Sequence, residues 1–200
     1  MLGAGRSGRA AAVLARKLGG KVTLYDQRGE DVFEGAPGEV ARCPEATVAT
    51  GRAVEADLVV VSPGIETGGE FVQSFAAGSG ELLGEIELAS RVYDGKIVGI
   101  TGTNGKTTTT ELVERILVAG GFTCAAAGNY GLPLAELVVQ SEVPETVALE
   151  LSSFQLETIR TFRPEVAIWL NLAPDHMDRY LSLIHISEPT RLESKSRIAS

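Results

Sequence analysis

The sequence predicts an α/β fold built from strand–helix crossover units, and three observations carry that prediction. Five short runs rich in Val, Ile and Leu, at residues 21–26, 57–62, 96–101, 146–150 and 165–170, are bounded by Gly, Pro, Ser or acidic residues, as buried parallel strands are. Helix-like segments stand between them at residues 7–18, 85–93, 107–119 and 153–162, two closed by Gly-Gly and the last stopped before Pro164. The cycle of strand, glycine-rich turn and helix begins a second time near Lys96, after the polar stretch "RVYDGK".

The first cycle opens on "MLGAGRSGRAAAVLARKLGGKVTLYD", with G-x-G-x-x-G at Gly3, Gly5 and Gly8 and an acidic residue, Asp26, ending the next strand. The first glycine of this pattern permits a tight turn, the second lets a diphosphate approach the backbone, and the third lets helix pack on sheet. Only Met1 and Leu2 precede it, so the strand expected before the turn is missing and the reading frame is expected to begin one strand late. A dinucleotide, another nucleotide diphosphate and a plain crossover turn all remain open for this element. "SPGI", at residues 62–65, ends another strand at an expected switch point, where it is either a ligand loop or a Pro-Gly turn.

The second cycle carries "GITGTNGKTTTT". Gly102 and Gly105 leave loop N–H groups open to phosphate oxygens, Lys106 adds a point charge, Thr107 offers a hydroxyl to Mg²⁺, and the helix N-terminus adds its partial positive charge. Ile100 stands where the longer Walker pattern has its first glycine, so the loop is shorter than that pattern. Downstream, "VALELSSFQLE" ends a strand on Glu150 and "IWLNLAPDHMDRY" ends another on Asp175, His176 and Asp178. Parallel strands bring their C-terminal ends to one edge, so Glu150 and His176 are expected to face the phosphate loop. Singly, Glu150 also reads as a helix cap and His176 as an exposed loop residue.

The bulk numbers narrow the function. The 200 residues are 44% hydrophobic, ample for a buried core, and carry 18 Lys and Arg against 26 Asp and Glu, a net charge of −8. That sign argues against nucleic acid or anionic lipid held by bulk charge. Cys43 and Cys124 have neither metal-ligand nor disulfide spacing, which fits a reducing cytoplasm. No apolar run approaches the roughly 18 to 20 residues needed to span a bilayer, so membrane insertion is not expected.

"GITGTNGKTTTTELVERIL", "GNYGLPL", "LELSSFQLE" and "LNLAPDHMDRY" closely resemble the ATP-dependent Mur ligases of bacterial peptidoglycan synthesis. The residues "FQLE" at 154–157 and "GEIEL" at 84–88 are similar to the branch that joins D-glutamate to UDP-N-acetylmuramoyl-L-alanine. The resemblance, covering residues 2–180, implies a Rossmann-like UDP-substrate domain at 1–90, an incomplete P-loop ATP-binding domain at 91–181, and a tail at 182–200. It implies that Gly5, Arg6 and Ser7 lie by the diphosphate, and Asp26, Gln27, Arg28, Ser62, Pro63 and Gly64 by the uridine. Asn129 is implied to contact the muramoyl substrate. ATP is implied at Gly102, Thr103, Asn104, Gly105, Lys106, Thr107 and Thr108, and Mg²⁺ at Thr107, Glu150 and His176, with Lys106, Glu150 and His176 as the catalytic set.

Residues 183–191 depart from the family and read as foreign sequence joined to a gene fragment, with a divergent native loop as the alternative. "SKSRIA" is similar to the family segment around a carbamylated lysine, which makes Lys195 a further catalytic candidate, set further past His176 than the family spacing. The parts that complete the ATP site and bind the amino acid in this family are absent from the 200 residues, so an inactive fragment is expected. The partners expected are the two small-molecule substrates, and the chain is expected to be a monomer. The alternatives are a binding unit without turnover, a sister ligase for another amino acid, and an NAD-linked oxidoreductase resting on Gly3–Gly8 and Asp26 alone.

Overall fold

The protein is described by a computed structural model, in which residues 1–173 are placed. Its first sheet forms around the two residues that precede the glycine turn. Leu2 makes parallel bridges to Tyr25 and to Val61. Its N–H donates to Val60 O at 2.8 Å, and its carbonyl accepts from Ser62 N at 3.0 Å. It thereby joins two parallel pairs: β1 (Thr23–Tyr25) with β2 (Ala41–Cys43), and β3 (Ala56–Val61) with β4 (Ser79–Gly84). Leu2 therefore stands mid-sheet, directly before the glycine turn. The Met1 ammonium donates to Thr23 O at 2.9 Å, and burial lowers its pKa to about 5.

Helix α1 (Arg6–Lys17) follows the glycine turn and buries Ala10, Ala11, Ala12 and Leu14. A 3-10 turn (Glu30–Phe33) and the helices α2 (Val48–Arg52), α3 (Glu70–Ala76) and α4 (Glu85–Ser90) complete this half. The second sheet has the order β6–β7–β5–β8, from β5 (Lys96–Thr101), β6 (Cys124–Gly128), β7 (Thr146–Glu150) and β8 (Val166–Trp169), all parallel. Its helices are α5 (Lys106–Ala119), α6 (Leu134–Leu137) and α7 (Ser153–Leu156). Parallel pairing puts the loops after Thr101, Gly128, Glu150 and Trp169 at one edge, and that edge carries the candidate site.

One apolar cluster spans both sheets, with Ala11 and Leu14 from α1, Ile86 and Ala89 from α4, Leu134 and Leu137 from α6, and Val147 and Leu149 from β7. Two carboxylates of "GEIEL" reinforce the seam. Glu85 accepts from Ala135 N at 2.5 Å, while Glu87, fully buried, accepts from the N–H groups of Arg160, Thr161 and Phe162 at 2.9 to 3.1 Å. Arg91 Nε and Thr161 Oγ1 also donate to Glu87.

Helix α7 ends at Leu156 rather than running to 162 as its sequence predicts. Ile159 N turns back to Leu156 O at 3.3 Å, and beyond it the N–H groups of residues 160–162 bond to Glu87. Six further elements, β2, β4, β6, α2, α3 and α6, are absent from the sequence reading. They are short, and β6 is "CAAAG", which lacks the β-branched residues that mark a strand.

Candidate functional site

The first glycine turn is held by a carboxylate. Asp26, at the end of β1 and 5% exposed, accepts from Ala4 N at 2.9 Å, from Arg28 N at 3.0 Å, and from Arg28 Nε and Nη2 at 2.9 and 2.8 Å. The Arg28 side chain, with the two backbone N–H groups, outweighs burial and lowers the Asp26 pKa to about 2. Gly8 must be glycine, because a Cβ there would run into the Gly3 carbonyl.

An open groove of about 500 Å³ lies against this turn, lined by Ala4, Gly5, Arg9, Arg28, Asp31 and Gly35 among others. Gly5 and Arg28 therefore meet in one place. Ser62 and Pro63 line a separate narrow crevice with Glu85, Gln155 and Thr158, although the Ser62 hydroxyl reaches Gly3 O at 3.3 Å. Ser7 is the second residue of α1, beside the Gly5 turn, and Gln27 and Gly64 are both exposed. Arg6 turns toward the second sheet, donating to Gly131 O at 2.9 Å and to Glu136 at 3.4 Å. Arg9, absent from the sequence reading, donates to Ala4 O at 3.1 Å and Glu34 O at 2.9 Å, so it lines the groove in a fixed position.

The second loop, residues 102–105, connects β5 to α5. Gly105 precedes the helix with φ 85°, a left-handed backbone that glycine adopts freely. The Lys106 ammonium donates to Gly102 O at 2.8 Å and Thr103 O at 2.9 Å, so it spans the loop it follows. The first turn of α5 leaves backbone N–H groups without intrahelical partners, and together with the ammonium they make an anion cradle.

Glu150, 2% exposed at the end of β7, stands beside this cradle with both carboxylate oxygens engaged. Thr107 Oγ1 donates to Oε2 at 2.8 Å, and Asn129 Nδ2 donates to Oε1 at 2.9 Å. Asn129 N also donates to Glu150 O at 2.9 Å, which fixes the "GNYG" turn to β7. Glu150 is thus no helix cap; Ser152 caps α7, accepting from Gln155 N at 3.3 Å. A hydroxyl and a carboxylate in contact are hard oxygen donors, the set Mg²⁺ prefers beside nucleotide phosphates, so these residues fit that ion. No cluster of three His, Cys, Asp or Glu stands among the described residues, so a metal here would rely on Thr107, Glu150 and phosphate oxygens within them. His176 and Lys195, together with Asp175, Asp178 and the tail at 182–200, lie outside the described residues.

Residues 100–192 match the family model of the Mur ligase middle domain. Over about 90% of its length the chain is 44% identical to the UDP-N-acetylmuramoylalanine–D-glutamate ligase of Geobacter metallireducens, and likewise 41% identical to that of Salinibacter ruber. Residues 100–192 thus carry a Mur ligase middle domain. It spans only 41% and 40% of the length of these two curated relatives. Among solved structures, a UDP-N-acetylmuramate:L-alanyl-γ-D-glutamyl-meso-diaminopimelate ligase from Neisseria meningitides superposes with a TM-score of 0.58 at 20% identity, over 94% of this chain and 64% of that one. A murein peptide ligase from Psychrobacter arcticus gives 0.52 at 21% identity, over 92% of this chain and 45% of that one. These likenesses show the fold: a Rossmann-like unit and a P-loop unit in the Mur ligase arrangement. No helix among the described residues is long and apolar enough to cross a membrane.

Proposed function

We propose that this chain is the UDP-substrate and ATP-binding part, residues 1–90 and 91–181, of a cytoplasmic ligase that joins D-glutamate to UDP-N-acetylmuramoyl-L-alanine. The observation that carries the reading is Glu150 held between Thr107 and Asn129 directly beside the lysine loop. Relatives at 41 to 44% identity that bear the name of that ligase support the choice of substrate.

In this reading the alanine carboxylate attacks the γ-phosphorus of ATP, the bond to ADP breaks, and an acyl phosphate forms. The D-glutamate amine then attacks the acyl carbon, phosphate leaves, and the amine loses a proton as the amide forms. Such transfers need positioning and charge neutralisation more than a side-chain nucleophile. Lys106 and the α5 N–H groups hold phosphate oxygens, and Asn129 keeps Glu150 turned toward Thr107. Mg²⁺ held by Thr107 and Glu150 would neutralise charge on the phosphates. The groove at Gly5 and Arg28 takes the UDP moiety.

Thermal unfolding with UDP-N-acetylmuramoyl-L-alanine, Mg-ATP or NAD tests the reading. The first two ligands are expected to raise the transition and NAD to leave it alone. Ligand at a hundredfold excess over Kd stabilises by about 2.7 kcal/mol, and Lys106→Ala should remove the Mg-ATP shift while sparing the UDP one. A shift by NAD, or a Mg-ATP shift indifferent to Lys106, overturns it. Because the chain spans 41% of its relatives, a binding part without turnover is the second reading. Phosphate release dependent on D-glutamate separates the two, and the second predicts none.

A further inference from the structure

The loop that carries Lys106 is not held in shape by its own glycines alone. Asn171, two residues past β8, grips it through a two-point contact: Asn104 N donates to Asn171 Oδ1 at 2.9 Å, and Asn171 Nδ2 donates to Asn104 O at 2.9 Å. Its backbone carbonyl accepts from Thr103 N at 3.2 Å and from Trp169 Nε1 at 3.1 Å. Ala173 adds a second pair, with Thr103 Oγ1 donating to Ala173 O at 3.1 Å and accepting from Ala173 N at 2.9 Å. The fit is close on the other side as well, since a Cβ on Gly102 would stand 3.1 Å from the Asn171 backbone.

We infer that Asn171 is a positioning residue for nucleotide phosphate, acting through the loop rather than on the ligand. The inference rests on the nucleotide reading above. A side-chain amide satisfies one donor and one acceptor in fixed register, so it fixes both peptide planes flanking Asn104. Both backbone polar groups of Asn104 are thereby withdrawn from any ligand. Donors left for phosphate include those of the α5 first turn and the Lys106 ammonium, which itself depends on the orientation of the Gly102 and Thr103 carbonyls. Holding the loop in this form before ligand arrives removes an ordering cost from binding.

The chain itself, with Lys106→Ala, Asn171→Ala and Asn171→Asp, provides the test, read by Mg-ATP affinity and by amide hydrogen exchange without nucleotide. Asn171→Ala is expected to speed exchange at Asn104 at least tenfold, leave β5 unchanged, and weaken Mg-ATP about tenfold. Asn171→Asp keeps the acceptor for Asn104 N, so exchange there should stay near native. It loses the donor and adds a negative charge beside the loop, so Mg-ATP should weaken more than in the alanine variant. A purely structural role would move both readouts with the melting temperature and would not split them. Native Mg-ATP affinity in Asn171→Ala, with binding still dependent on Lys106, overturns the inference and leaves the nucleotide reading standing. If the native chain binds no Mg-ATP, that reading fails and the phosphate role of Asn171 fails with it. Should the alanine variant not fold, native Mg-ATP affinity in Asn171→Asp overturns the inference by itself.

Discussion

The two glycine loops solve one geometric problem with opposite charges. Each turns a strand into a helix whose N-terminus is open to an anion. At the first, a buried carboxylate, Asp26, already occupies the Ala4 N–H and is itself neutralised by Arg28. At the second, a cation, Lys106, caps the loop carbonyls, and the nearest carboxylate, Glu150, is reached through the Thr107 hydroxyl rather than through a loop N–H. A loop held by an acid suits a ligand that approaches with hydroxyl or amide donors near the acid and phosphate only beyond it. A loop held by a base suits the phosphates themselves. The pattern of glycines does not separate these cases; the charged residue that fixes each loop does.

Both loops hang on one seam, and the largest expected effect comes from cutting it. Glu87 accepts backbone and side-chain donors of residues 160–162 and pairs with Arg91, so Glu87→Ala leaves several buried donors without an acceptor. Loss of about 3 to 5 kcal/mol is expected, read as a lower midpoint in urea. If the first half then melts separately from the second, the seam is what makes the loops one unit. A shift below about 1 kcal/mol would mean that the apolar cluster alone joins them.

The pH dependence sharpens the same point, because two carboxylates on α4 titrate in opposite senses. Burial raises the Glu85 pKa from 4.5 to about 7, opposed by the Ala135 N–H, and its Oε2 has no partner among the described residues. Its folded pKa lies above the unfolded one, so the stability it contributes is present below about pH 4.5 and is lost as pH rises through about 7. Burial would raise Glu87 too, but Thr161 and the N–H groups of residues 160–162 outweigh it and lower the pKa to about 2. Its contribution is present above 4.5 and is lost as pH falls through about 2. From these two groups stability peaks near pH 4.5, and Glu85→Gln should remove a decline of about 2 to 3 kcal/mol between pH 4.5 and 8. An unchanged decline in that variant would show that other groups cause it.

Much of this was legible in the sequence, and what was not has physical causes. Lys106, Thr107, Glu150 and Asn129 come together because parallel strands deliver their ends to one edge, and β5 and β7 were readable from their apolar runs. Asn171 escaped notice although it sits in "LNLAPDH", because its work is a side-chain contact with a backbone 67 residues earlier, and no periodicity encodes that. Its only signal was a polar residue just past a strand end beside the phosphate loop. The non-helical path of residues 160–162 was hidden for a similar reason, since their N–H groups bond to Glu87, at least 73 residues away.

The acid that fixes the first loop gives the next effect in size. Asp26→Asn keeps the shape but removes the charge that Arg28 neutralises and one acceptor, so a loss of about 1.5 to 3 kcal/mol is expected, measured by chemical denaturation at pH 7. The ligand specificity of the loop should change with it, weakening UDP-substrate binding while leaving Mg-ATP affinity at the second loop alone. Equal weakening at both loops would show that the two are not electrostatically separate.

The smallest effect is expected at Thr107→Val, which keeps the side-chain volume and deletes the hydroxyl. Glu150 retains Asn129 on Oε1 and loses only the donor to Oε2, so stability should fall by about 0.5 to 1.5 kcal/mol. The more telling readout is metal dependence. If Thr107 and Glu150 together hold Mg²⁺, the variant should need a higher Mg²⁺ concentration for the same ATP-induced rise in melting temperature, with ATP binding in the absence of Mg²⁺ unchanged. The first loop offers no such pair, since its acid is bonded to an arginine side chain and two backbone N–H groups, so UDP-substrate binding should not respond to Mg²⁺ in either protein. A Mg²⁺ requirement at the first loop, or none at the second, would break the division between the acid-held and base-held loops.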